Sequence, residues 1–186
     1  MGKSKQRTVI TILTMSLIAV LIIGFYYRIT KRTKPTEETL SDIEVLLSKD
    51  LELYYPATPK EVVKLYSKML QIIYTDLDEE QVEALAIKMR ELYDSELLKI
   101  NSQEEHLNNL FTEIVEWQNA ERSITNFSFI NKDENKIEEI EGKEYATIHV
   151  IFTFKEKAKY LQEWRFLLRR DSDEKWKILG WDKIPE

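Results

Sequence analysis

The sequence predicts an α+β fold in which an N-terminal transmembrane helix is followed by about four helices packed on a four-stranded antiparallel meander sheet. Three observations carry this prediction. Twenty residues from Thr8 to Tyr27 carry no charge; capped segments of helical period follow from about Thr39; and at about Ser123 the period changes to a two-residue alternation rich in β-branched and aromatic residues. The corresponding divisions are a basic cytoplasmic leader (1–7), a transmembrane signal anchor (8–27), a tether (28–38) and one soluble α+β domain (39–186).

At about 1.5 Å of rise per residue, the uncharged run spans roughly the 30 Å hydrocarbon core of a bilayer. It ends in Gly24-Phe25-Tyr26-Tyr27-Arg28, bulky and then basic, which does not suit signal cleavage. The chain has no cysteine, so there is no thiol to lipidate and none for a disulfide. Phe25, Tyr26 and Tyr27 suit the bilayer interface. Basic residues flank the run almost equally, with Lys3, Lys5 and Arg7 before it and Arg28, Lys31, Arg32 and Lys34 after it. Charge counting therefore leaves orientation open, and the layout of an export signal favours a domain outside the cell membrane.

Residues 1–35 hold 7 of the 27 basic side chains and no acidic one, leaving 20 basic and 33 acidic residues beyond them. A domain so acidic repels polyanions, and no basic face is offered for phosphates, which excludes nucleic acid as a partner.

Along the domain, Leu40, Ile43, Leu46, Leu47 and Leu51 recur at helical spacing behind Thr39 and Ser41. Thr58-Pro59-Lys60-Glu61 combines an N-cap, a proline at the first helical position and a capping-box glutamate. The helix it opens has Val62, Val63, Tyr66, Met69, Leu70 and Ile73 on one face and Lys60, Lys64 and Lys68 on another. Residues 74–101 predict a third helix behind Asp76 or Asp78, burying Val82, Leu85, Ala86, Met89, Leu92 and Tyr93. Ser102-Gln103-Glu104-Glu105 opens a fourth with Leu107, Leu110, Phe111, Ile114 and Trp117 inward.

Residues 124–130 read as a strand, and 131–142 as an acidic loop. In residues 143–157, Ala146, Ile148, Val150, Phe152 and Phe154 lie on one face of a strand, with Tyr145, Thr147, His149, Ile151 and Thr153 on the other. Residues 159–170 put Tyr160, Trp164, Phe166 and Leu168 on one face; 171–174 form a hairpin loop and 175–184 the last strand. Trp176 and Trp181, five apart, would point to opposite faces of a regular strand, and a bulge at Gly180 brings them to one side.

Together the anchor, YPATPKEVVKLYSKML (55–70), ELYDSELL (91–98) and WKILGWD (176–182) resemble an uncharacterised family of Gram-positive bacterial single-pass membrane proteins. The layout is similar to the nuclear-transport-factor-2-like (cystatin-like) superfamily, which implies a cone in which helices pack into a bent sheet and often leave a pocket. No activity follows, because that fold hosts isomerases, dehydratases and binding modules alike.

Glycines occur only at 2, 24, 142 and 180, so no P-loop or dinucleotide fingerprint exists and no nucleotide cofactor is expected. With His106 and His149 alone, and no cysteine, no multi-histidine or thiolate metal site can form. The acidic loop lacks the alternation and central glycine of an EF-hand. His149 is the catalytic candidate, with Tyr145 or Asp182 as partner, since acid/base residues of the superfamily project from the concave sheet face; the more apolar opposite phase of the strand turns His149 towards solvent instead. Tyr66, Tyr74, Tyr93, Trp117 and Trp164 are candidates to line a ligand pocket, and aromatics at such spacing equally form a core. The expected function is a membrane-anchored extracytoplasmic binding domain for an envelope protein or a small apolar ligand; the alternatives are an isomerase- or dehydratase-type pocket enzyme using His149, and a self-associating domain.

Overall fold

The computed structural model of the chain describes residues 41–130 and 137–185. The predicted leader, transmembrane helix (8–27) and tether (28–38) lie outside the described residues, among which no helix is long and apolar enough to cross a membrane. Five helices precede a five-stranded antiparallel sheet: α1 (Asp42–Leu47), α2 (Pro59–Ile73), α3 (Glu79–Arg90), α4 (Ser95–Ile100), α5 (Gln103–Asn119), then β1 (Ser123–Phe129), β2 (Ile137–Ile140), β3 (Lys143–Lys155), β4 (Lys159–Arg170) and β5 (Trp176–Lys183).

Each helix starts where a side-chain oxygen replaces a missing backbone acceptor. Ser41, Thr58 and Asp78 form reciprocal capping boxes with Glu44, Glu61 and Gln81. Asp94 and Ser102 accept from the backbone N–H of Glu96 and Glu105. α2 buries Val62, Val63, Tyr66, Met69, Leu70 and Ile73 against the sheet and α3, and leaves Lys60, Lys64 and Lys68 exposed.

The third predicted helix is in fact two. Between α3 and α4 the chain runs alongside β5: Ile178 N–H donates to Leu92 C=O and Asp94 N–H donates to Ile178 C=O, both at 2.8 Å. Leu92 and Tyr93 point into the core, at 0% and 2% exposure, while Asp94 is held by Arg169. The helical period of the sequence ran unbroken because Leu92 and Tyr93 are apolar at positions that a helix would also bury.

The sheet has five strands where four were expected. β3 is long enough for β4 along one edge and two strands on the other, β1 opposite its C-terminal half and β2 opposite Lys143–Ala146. β2 comes from the segment read as an acidic loop. Glu141 and Gly142, with φ of 52° and 74°, make the two-residue hairpin turn whose twist matches antiparallel strands. Its four residues are exposed, so no apolar alternation announced them.

β3, β4 and β5 form a meander whose inner residues meet the helices. Val150, Phe152, Phe166, Leu168 and Ile178 are all fully buried there. Truncating such a phenylalanine to alanine costs about 3–5 kcal/mol. Tyr160, expected inside, is 41% exposed and stacks on Phe154 at the sheet's end. In β5 the register shifts, with Leu167 opposite Gly180 and Leu168 opposite Ile178. This is the bulge that the tryptophan spacing requires, and it places Trp176 and Trp181 on the core face.

The described residues share one hydrophobic core. Across the edge of the sheet, Arg169 Nη2 and Nε donate to the two Asp94 carboxylate oxygens at 2.6 and 3.0 Å, and Nη1 donates to Glu96 at 2.7 Å. The Asp94 side chain is 3% exposed and that of Glu96 59%. Asp94→Ala should therefore cost about 3–5 kcal/mol by leaving a guanidinium buried without its partner. Glu96→Ala should cost no more than about 1 kcal/mol. Urea unfolding followed by tryptophan fluorescence measures both; equal effects would contradict this division.

Candidate functional site

The strict alternation of β3 gives the sheet two unlike faces. Ala146, Ile148, Val150, Phe152 and Phe154 are buried under the helices, whereas Tyr145, Thr147, His149, Ile151 and Thr153 remain half-exposed on the outer face. The hairpin register pairs Lys155 with Lys159 and hence His149 with Arg165, which brings Leu161, Glu163, Arg165 and Leu167 of β4 to the same face. β5 adds Asp182 opposite Arg165.

Two polar pairs are built on this surface. His149 Nδ1 lies 2.8 Å from Glu163 Oε1, with about a fifth of each side chain exposed. An ionised carboxylate only accepts, so the ring donates through Nδ1 in this contact. Arg165 donates to Asp182 through Nε and Nη2 at 3.1 and 2.6 Å. That hydrogen-bonded guanidinium holds the Asp182 carboxyl below the usual range. Between the pairs lies a hollow of about 470 Å³, lined by Thr147, His149, Arg165, Leu167, Trp181 and Asp182 among others.

The partners expected for His149 from the sequence share its face, and Asp182 lines the same hollow, but neither makes the hydrogen bond to the ring. Asp182 belongs to Arg165, and Tyr145 faces Arg169 across the strands. Glu163 takes their place, a residue that the sequence reading did not single out. The signal was in the turn: once residues 156–158 close a tight hairpin, Glu163 must fall diagonal to His149 on one face.

The aromatic pocket candidates pack as core. Trp117 stacks on Tyr74 with ring centroids 3.7 Å apart, and Trp164 sits edge-on to Phe152 at 5.1 Å. Tyr66, 2% exposed, lies 5.4–6.0 Å from the rings of Trp181, Phe166 and Tyr93. The Tyr66 and Tyr93 hydroxyls are 3.4 Å apart. Burial, and then the neighbouring Tyr93, pushes the Tyr66 phenol far above its ordinary range. Burial likewise pushes Tyr93 up to about 12, against the opposing effects of the Tyr66 hydrogen bond and Arg90. Both stay protonated at neutral pH, as hydrogen-bonding groups and not as bases.

A second depression, of about 800 Å³, lies where the β2–β3 and β4–β5 turns meet α4. Several of its charged groups are engaged: Arg169 holds Asp94 and Glu96, Arg170 binds Glu144 at 2.6 Å, and Lys177 donates to Glu91 C=O at 2.7 Å, while Arg90 Nη1 is buried without a hydrogen-bond partner. Among the described residues no group of three or more acidic or histidine side chains is placed to hold a metal ion. The outer face thus carries two polar pairs beside the exposed apolar side chains of Leu161 and Leu167, with the His149 side chain about a fifth exposed.

A family model described as Domain of unknown function (DUF6715) matches residues 1–181, through both the N-terminal apolar run and the folded domain. No curated protein matches the chain.

The other histidine gives a pH prediction. His106 packs edge-on to Tyr93 at 6.1 Å, and its Nε2 is buried without a hydrogen-bond partner. Burial, reinforced by Arg90, lowers its pKa from 6.5. The unfolded chain then takes up the proton first, so this contribution to stability is complete above the unfolded value and is lost as pH falls through the folded one. Between neutral pH and about pH 5, the urea midpoint of His106→Gln should fall less than that of the parent. An identical fall in both would remove His106 from the account.

Proposed function

Because the chain belongs to this family of unknown function, we propose from its own residues that it is a single-pass membrane protein, anchored through residues 8–27 with its domain outside the cytoplasm, that binds a protein of the cell envelope through the outer face of its sheet. One observation carries the binding part. Leu161 and Leu167, 57% and 39% exposed, share that face with the half-exposed Ile151 and the two ordered polar pairs. Apolar side chains set among fixed charges make a surface that gains from being covered and discriminates in what covers it.

The anchor reading rests on the length and flanks of the uncharged run. Helices packed on one face of an antiparallel sheet support the nuclear-transport-factor-2-like cone as the architecture. The rings of Tyr66, Tyr93, Phe166 and Trp181 fill space that a small apolar ligand of such a cone would occupy, which moves the binding role from the interior to the sheet's outer face. Self-association through that face is the alternative occupant.

A second reading, an isomerase- or dehydratase-type enzyme, is favoured by the 2.8 Å contact of His149 with Glu163. It predicts that the protein exchanges the α-protons of a simple enolisable ketone with deuterated solvent, and that His149→Gln abolishes the exchange. Exchange no faster than in buffer sinks it.

With no native cysteine, location and binding can be tested in one set of variants. Ser172→Cys, in the exposed β4–β5 turn, should react with a membrane-impermeant thiol reagent in intact cells; reaction only after lysis would put the domain in the cytoplasm. Leu167→Cys should be alkylated several times more slowly in native membranes than in the purified protein. Equal rates would mean that the sheet face is unoccupied.

A further inference from the structure

On the helical side, α1, α2 and the turn between them form a groove of about 490 Å³ with Leu46 and Leu65 in its lining. Val45 and Tyr54, both in its lining, are 46% and 69% exposed, and Leu53, next to Tyr54 in the chain, is 68% exposed. Lys49, Lys64 and Lys68 also line it, and among the described residues none of their ammonium groups has an ion-pair or hydrogen-bond partner. Lys64 and Lys68, with Lys60 one turn before them, form most of the exposed stripe of a helix whose other faces are largely buried.

The nearby carboxylates are turned to other work. Glu44 accepts from Ser41 N–H at 2.6 Å, Asp50 from the N–H groups of Glu52 and Leu53 at 2.9 and 3.1 Å, and Glu61 from those of Ala57 and Thr58 at 3.1 and 3.2 Å. They answer helix-end and turn amides, and no carboxylate of the described residues forms an ion pair with these lysines, on a domain that is otherwise acidic.

We infer that this face docks on an anionic bilayer surface, with Leu53 and Tyr54 entering the headgroup region and Lys49, Lys64 and Lys68 meeting lipid phosphates. Exposed aromatic and aliphatic groups beside long basic side chains are the combination by which proteins lie on anionic membranes. The chain supplies the opportunity, since only 14 residues (28–41) separate the uncharged run ending at Tyr27 from α1. This inference rests on the anchor reading for its membrane. It also deepens that reading: α2 meets the sheet through the face opposite its lysines, so docking turns the outer sheet face away from the lipid, towards a partner.

The test uses the full chain in nanodiscs of neutral or of anionic lipid, each with a headgroup-attached quencher. A fluorophore sits at Ala57→Cys, in the groove, or at Ser172→Cys, in the β4–β5 turn. In anionic discs the probe at 57 should be quenched severalfold more than that at 172, and neutral lipid should remove the difference. Each of Lys49→Gln, Lys64→Gln and Lys68→Gln should lower the ratio of docked to free domain by about fivefold. Equal quenching at the two positions, or quenching at 57 that ignores lysine charge and lipid charge, overturns the inference and leaves the groove to a protein or a second copy. A chain that fails to co-elute with neutral discs refutes the anchor by itself. In that case lysine-dependent binding to anionic discs still upholds the docking face, and binding to neither overturns both.

Discussion

The ion pair between Arg169 and Asp94 is the constraint on which the arrangement of helices and sheet depends. Two charges withdrawn from water gain little net stability from meeting each other, but either one left alone is expensive, so the pair acts mainly to forbid other arrangements. Asp94 must stand where Arg169 can reach it, beside β5. That stops α3 after Arg90, lays Leu92–Asp94 along Ile178, and lets the Asp94 carboxylate serve a second time as the N-cap of α4. Tyr93 is thereby delivered into the ring cluster with Tyr66 and Trp181, and the β5 bulge at Gly180 turns Trp181 inward to meet it.

With one face of the sheet committed to this packing, the other is free to carry function. Period two on β3 and a tight β3–β4 turn are enough to set His149, Glu163 and Arg165 on one surface, and β5 completes it with Asp182. No loop positions these groups. They sit on hydrogen-bonded strands of the sheet, whose register fixes the spacing of the two charged pairs. The lysine stripe of α2 faces the opposite way, so the domain separates an apolar-rimmed basic side from a patterned sheet side.

The capped helix starts and the long strands were legible in the sequence because their signals are local: Thr58-Pro59-Lys60-Glu61, the alternation from Ala146 to Phe154, and the tryptophan spacing that demanded a bulge. The break at Leu92–Asp94 was not, because its cause is a guanidinium 75 residues away in the chain. β2 was missed since a fully exposed edge strand needs no apolar face, and its only marks were a glutamate and a glycine fit for a tight turn. Of the site, His149 and its outward direction could be read, and its bond to Glu163 could not until the hairpin register was known. The aromatic residues were ambiguous between pocket and core, and ring-to-ring packing decided for the core.

The central claim is that the outer sheet face is the working surface of an anchored domain. The most direct measurement is photo-crosslinking in living cells from a benzophenone side chain placed at Leu167, with the exposed α3 position Glu83 as the control. The account predicts one discrete crosslinked species from position 167, with a partner or with a second copy, and none from 83. A smear or nothing from 167, or the same species from both positions, would contradict it.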